Sequence, residues 1–216
     1  MHIRRLVSVA VPSTSVTSSQ VLSTVSAIAA REGRVLLGIT GFPGAGKSTL
    51  AQQVVAAVPG AVLVPMDGFH LAQAVLDDAG LAERKGAPET FDRHGFVAML
   101  QRLRHASPSD PPVYAPTFRR DIEEPIAGAI AVPSDCPLVV TEGNYLLHWP
   151  EVPALLDETW WVEIDRDERL RRLTARHVAY GKSPEQASAW ARGSDERNAA
   201  LICAGRDLAQ LVVAGD

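Results

Sequence analysis

The stretch Gly41-Phe42-Pro43-Gly44-Ala45-Gly46-Lys47-Ser48 carries the densest chemical information in the chain. It fits G-x-x-x-x-G-K-S, the loop that wraps the phosphates of a nucleotide. Glycines let backbone N–H groups close on an anion, and a helix beginning there adds the positive end of its dipole. In such a frame Lys47 reaches the β- and γ-phosphates and the Ser48 hydroxyl ligates Mg²⁺, with Thr49 beside it in the opening helical turn.

Two acids stand after apolar runs. Asp67 lies in Met66-Asp67-Gly68-Phe69-His70, directly after Ala61 to Met66. In open α/β sheets functional groups gather at the C-terminal ends of strands, the edge from which the phosphate loop also leaves. A carboxylate there can orient an acceptor hydroxyl and take its proton during phosphoryl transfer. It can also cap the next helix; the phosphate loop favours the first reading. Glu142, in Val139-Val140-Thr141-Glu142-Gly143, can hold Mg²⁺ directly or through water, with Gly143 allowing close approach of backbone or ligand. Arg169, Arg172 and Arg176 share one helical face and suit phosphate charge, while Leu170, Leu173 and Val178 supply the packing side. A solvated face paired with Asp165, Asp167 and Glu168 satisfies the same spacing. His70 either lines the acceptor pocket or is a polar helix residue. His94 and His177 are scattered and have no metal-ligand spacing. Trp160-Trp161 reads as core.

The elements that must hold these residues alternate. Val35 to Ile39 reads as a buried strand before the loop, and Thr49 to Val55 as the first turns of the helix after it. Further strands are expected at Ala61–Met66, Leu138–Thr141, Thr159–Ile164 and Leu208–Val213. Helices are expected from Ser18 toward Gly33, over Leu71–Ala79, from Phe96 to Arg104, over Glu168–Tyr180, and from the capping box Ser183-Pro184-Glu185-Gln186. Val113 to Arg120 is extended, and Ala129 to Val132 can pair with it as a hairpin. Buried strands alternating with helices predict an α/β fold, a parallel sheet covered on both faces.

Composition bounds the rest. A chain of 216 residues with 46% hydrophobic content builds one domain, 1–216, with residues 1–16 loosely ordered. A net charge of −4 offers no basic field for nucleic acid. Cys136 and Cys203 form no metal or disulfide pattern, which suits a reducing cytoplasm. The Met1 to Pro12 segment loosely fits a secretory start, the minor reading. No apolar run approaches the ~20 residues that span a bilayer, so no membrane partner is expected.

In order, the phosphate loop, Met66-Asp67-Gly68-Phe69-His70, Lys85-Gly86-Ala87-Pro88-Glu89-Thr90-Phe91-Asp92, Val113-Tyr114, Thr141-Glu142-Gly143 and the arginine-rich helix resemble one kinase group. It holds uridine kinase, phosphoribulokinase and bacterial pantothenate kinase. The likeness is nearest to its short nucleoside/nucleotide kinase-like members, also labelled fructose-transport-associated, and covers Arg34 to the C-terminus. The resemblance implies a P-loop three-layer α/β/α sandwich with a five-stranded parallel core, a helical lid and a side hairpin. It implies Asp67 as the catalytic carboxylate, Glu142 near the metal, and Arg172 and Arg176 on the lid over ATP. His177 follows Arg176 where that family carries Asp. Tyr114 matches an acceptor-site tyrosine of pantothenate kinase, but Pro116 replaces the histidine expected two residues on. Arg119 and Arg120 can compensate if the acceptor is anionic, or serve the sheet edge; Asn198 can face the acceptor.

The expected activity is ATP- and Mg²⁺-dependent phosphorylation of a small molecule's hydroxyl group: a nucleoside, a sugar or a pantothenate-like alcohol. Lys47, Asp67 and Arg176 are the catalytic candidates, His70, Tyr114, Arg119, Glu142 and Asn198 the acceptor-side ones. The alternative is a nucleotide-binding regulatory ATPase with no small acceptor. A homodimer is compatible with the chain.

Overall fold

A computed structural model describes residues 14–16 and 18–215. Expectations for residues 1–13, including the secretory reading and most of the loosely ordered segment, lie outside the described residues. In chain order the elements are β1 (Thr14–Val16), α1 (Ser18–Ala29), β2 (Val35–Gly41), α2 (Lys47–Ala57), β3 (Val62–Leu63), α3 (Gln73–Asp78), α4 (Arg93–His105), β4 (Val113–Arg119), β5 (Glu124–Val132), β6 (Leu138–Glu142), β7 (Glu158–Glu163), α5 (Arg166–Ala179), α6 (Pro184–Trp190), α7 (Glu196–Ile202) and β8 (Leu211–Ala214).

All main-sheet strands run parallel, in the order β1-β8-β7-β2-β6-β3. The expected five-strand core is there, and Thr14–Val16 extends it by pairing with Leu211–Val213. Residues 14–16, expected to be loosely ordered, are thus a sheet edge. Period-two alternation splits the apolar strands between two cores. Leu36, Val139, Trp161 and Val212 face α4, the hairpin and the segment after β6. Leu37, Val140, Trp160 and Val213 face α1 and α2. Both tryptophans are fully buried, as expected.

Arg34 ties the layers together from the residue before β2. Its guanidinium donates to the carbonyls of Leu103 at 2.8 Å, Pro133 at 2.8 Å, Ser134 at 2.8 Å and Cys136 at 3.2 Å. Leu103 lies in the last turn of α4, whose carbonyls have no intrahelical partner. Arg34→Met keeps the stem and removes the donors. It is expected to cost about 2 kcal/mol in urea denaturation, read as a lower midpoint with an unchanged slope. An unchanged midpoint would mean water replaces the guanidinium without loss.

Two shorter features position the site. β4 and β5 form a separate antiparallel hairpin whose register slips between Ala115 and Thr117. Pro116 sits there and has no N–H to give the ladder. The turn Met66–Phe69 after β3 packs against that break: a Cβ on Gly68 would lie 2.4 Å from the Pro116 carbonyl oxygen. The hairpin is thereby held beside Asp67.

Candidate active site

Register brings the phosphate loop and Glu142 together. β2 lies between β6 and β7, and Ile39 is level with Glu142 two residues before the loop leaves at Gly41. Gly44 and Gly46 take φ of 81° and 96°, values that favour glycine, and Gly46 opens α2. A Cβ on Gly44 would sit 2.9 Å from Leu173 on α5, so the lid helix closes tightly on the loop. Phe42 packs edge-on to Trp161 at 5.0 Å, and the Arg169 guanidinium lies 5.2 Å from its ring. Ala45 is buried in the core beneath.

One cavity of about 740 Å³ opens at the C-terminal edge of the sheet. Pro43, Gly44, Gly46, Lys47, Ser48 and Thr49 form one part of its wall, and Asp67 and His70 another. Lys47 is almost buried and donates from Nζ to the Phe42 carbonyl at 3.0 Å. Burial lowers its pKa to about 8, against the opposing pull of Glu142 and Asp67. The ammonium form therefore prevails below about pH 8. Triphosphate charge stabilises that form, so binding above pH 8 must take up a proton. Nucleotide affinity is expected to fall about tenfold from pH 7 to pH 9, measured by calorimetry in buffers of different ionisation enthalpy. Equal affinity at both ends would remove Lys47 as a phosphate partner.

The Ser48 hydroxyl donates to Glu142 Oε1 at 2.9 Å. Burial raises the Glu142 pKa, and the Asp67 charge adds to the rise. A buried carboxylate and a hydroxyl are hard oxygen donors that suit Mg²⁺, whose charge would favour the ionised acid. Water and phosphate oxygens commonly complete such a shell. Gly143 lines the cavity and also lets Met66 approach closely: a Cβ there would lie 2.6 Å from that side chain.

Asp67 does not cap α3, whose N-cap is Ala72. Its Oδ2 accepts from Arg120 Nη2 at 2.8 Å. His70 Nδ1 lies 2.7 Å from the Asp67 carbonyl, so that nitrogen carries the proton and donates. Burial lowers the His70 pKa, which leaves the ring neutral. The ring packs against Phe91 at 4.0 Å and Phe118 at 4.7 Å, tilted 42° to each.

Arg172 and Arg176 line the cavity from α5, and Asn198 lines it from α7. Asn198 also donates to the Gly86 carbonyl at 3.3 Å, shared with the Tyr145 hydroxyl at 2.6 Å. Other expectations need correction. Tyr114 is 57% exposed and outside the cavity, because it alternates with buried Val113 and Ala115. Arg119 pairs with Asp121 at 2.5 Å, also outside the cavity; beyond the slip at Pro116, Phe118 and Arg120 have the inward parity. Arg169 does not share the open face of Arg172 and Arg176. It is 4% exposed and bonded to Glu196 at 2.6 Å. Val178, expected to pack, is exposed.

Sequence reasoning passed over Lys85, Phe118 and the His177–Asp195 pair, joined at 2.8 Å on the cavity wall. The Lys85–Asp92 stretch was noted only as a motif. Within it, Gly86 has φ 94°, its N–H donates to buried Thr90 at 3.0 Å, and Asp92 caps α4 through Gly95. His177–Asp195 had no local signal, since eighteen residues separate its members.

A parallel sheet whose central strand runs into a glycine cradle and an invading lysine defines a P-loop nucleotide-binding protein. The family model for the methylmalonyl Co-A mutase-associated GTPase MeaB matches residues 3–61, which hold β2, the phosphate loop and α2. The ATP-dependent kinase-like protein notR' of Aspergillus versicolor is 37% identical over 162 residues, 70% of this chain and 94% of that protein. A candidate uridine kinase of Schizosaccharomyces pombe is 31% identical over 68% of each chain. The crystal structure of a candidate fructose transport system kinase from Silicibacter sp. TM1040 superposes with a TM-score of 0.78 at 38% identity, covering 90% of this chain and 97% of the other. The chain belongs to the family of P-loop kinases that contains these uridine kinase-like proteins. None of its described helices is long and apolar enough to cross a membrane.

Proposed function

We propose that this kinase transfers the γ-phosphate of ATP to a hydroxyl group of a small molecule. The observation that carries the reading is the shared cavity: Lys47 and Ser48 on one wall, the Asp67 carboxylate on another. Its volume of about 740 Å³ suits a nucleotide with a compact partner.

In this reading the loop amides and Lys47 hold the triphosphate, and Ser48 and Glu142 hold Mg²⁺. The metal, when bound, would draw charge from the β- and γ-phosphate oxygens. Asp67 takes the proton of the acceptor hydroxyl as its oxygen bonds to the γ-phosphorus. The bond to the bridging oxygen of ADP breaks, and ADP leaves with that electron pair. Arg172 and Arg176 offset charge on the moving group. Gly44 packed on Leu173 supports a lid that keeps water from the reaction.

ADP release with a panel of nucleosides, hexoses and pantothenate tests this. Stimulation by one acceptor supports transfer. Steady release that no acceptor changes would leave a regulatory ATPase instead.

A further inference from the structure

The Arg120–Asp67 ion pair conflicts with the role just given to Asp67. Arg120 Nη2 donates to Asp67 Oδ2 at 2.8 Å and so occupies a carboxylate oxygen that the acceptor's hydroxyl must reach. For Asp67 to take a proton, Arg120 must find another partner in the productive complex. It can move: it lies in the connecting turn of the hairpin, and its side chain is 46% exposed.

A second cation marks where that partner sits. Lys85, on the loop between α3 and α4, places Nζ 5.4 Å from the Phe118 ring, and the Arg120 guanidinium lies 5.9 Å from the same ring. The Lys85 side chain is only 16% exposed and is held at the cavity by Gln73 Oε1 at 3.1 Å and the Glu123 carbonyl at 2.7 Å. Glu123 itself has φ 54°, rare for a residue with a side chain, and its carboxylate lies 3.6 Å from Lys85. Glu83 on the same wall is exposed. Two cations from separate elements therefore lie beside one aromatic ring, and Lys47, Arg172 and Arg176 line the same cavity.

We propose that the acceptor is a small hydroxylated anion, bearing a carboxylate or a phosphate monoester. Its charged group binds Arg120 and Lys85 beside Phe118 and draws Arg120 off Asp67. This rests on the kinase reading above and names the acceptor class for it. The acceptor that binds correctly thereby frees the base that activates its own hydroxyl. A neutral polyol of the same shape leaves Arg120 on Asp67 and reacts slowly.

The test uses ADP release with matched sets on one carbon skeleton: ribose, ribonate and ribose 5-phosphate; glycerol, glycerate and glycerol 3-phosphate. An anionic member is expected to raise turnover about tenfold or more above its neutral counterpart, and the carboxylate and phosphate arms tell the two sources apart. Arg120→Met and Lys85→Met are expected to raise the KM of that acceptor about ten- to a hundredfold, with the KM of ATP changed less than about twofold. Arg120→Lys should recover part of the loss, and unchanged melting temperatures would certify the fold. Equal stimulation by the neutral member overturns the inference and leaves the kinase reading standing. So does a rise in the KM of ATP in place of the acceptor's, which would assign Arg120 to the triphosphate. Stimulation by no member, with steady acceptor-independent ADP release, overturns both.

Discussion

The Asp67→Asn enzyme is expected to bind ATP as the wild type does and to transfer its phosphoryl group about 10²–10⁴ times more slowly. The amide keeps the size and most of the packing of the carboxylate but cannot accept the acceptor's proton. Asp67 touches the loop only through its field, so the nucleotide end should change little. That field acts on Lys47 less than burial and Glu142 do. The substitution takes the charge from Arg120's partner and leaves at most a neutral amide oxygen to accept its hydrogen bond. Because that guanidinium is half exposed, water can solvate it and the fold should hold. Single-turnover ADP formation with a stimulating acceptor, beside nucleotide affinity by calorimetry, separates the two effects. Transfer within about threefold of wild type would remove Asp67 as the base. A matching loss of ATP affinity would recast it as part of the nucleotide site.

Lys47→Ala should fail at the other end, with turnover lower by about 10²–10³ and weakened nucleotide binding. Its ammonium is the cation that faces both Glu142 and Asp67 from within the loop, lowering the pKa of the buried acid. Without it Glu142 is protonated more readily and becomes a poorer metal ligand. The variant thus loses a phosphate contact directly and weakens metal binding indirectly. Lys47→Arg is not expected to restore activity, because a planar guanidinium does not fit where Nζ reaches the Phe42 carbonyl at 3.0 Å. Mg²⁺ dependence of turnover provides the second readout: Lys47→Ala should need more metal to reach its own maximum. Near-normal turnover in Lys47→Ala would contradict the phosphate-loop assignment.

The legible parts of the site share a cause. Glu142 ends β6, Asp67 lies in the turn that follows β3, and Lys47 and Ser48 open α2 after the loop that leaves β2; these strands announce themselves as short apolar runs. Parallel connectivity then brings their C-terminal ends to one edge whatever the loops do. The capping box at Ser183 and the helix stop at Gly80 were readable because they are local hydrogen-bonding devices. The hairpin was harder. Its existence is legible, but the resemblance places Tyr114 at the acceptor and the local sequence does not separate Arg119 from Arg120; the slip at Pro116 turns Phe118 and Arg120 toward the cavity. Arg169 was grouped with its helical neighbours, although Glu196, 27 residues away, and the ring of Phe42 claim it.

The sequence by itself determined the nucleotide-phosphate cradle, the alternation of strands and helices from β2 to α6, and the acids that follow β3 and end β6. Those follow from short-range rules: glycine conformations, apolar runs and caps. Tertiary structure decided which cations meet the acceptor side. Lys85, Arg120 and Phe118 converge only because Gly68 lets the Asp67 turn press on the hairpin at Pro116. A contact between residues far apart in the chain depends on packing distances and strand register, and neither is written in the spacing of either segment alone.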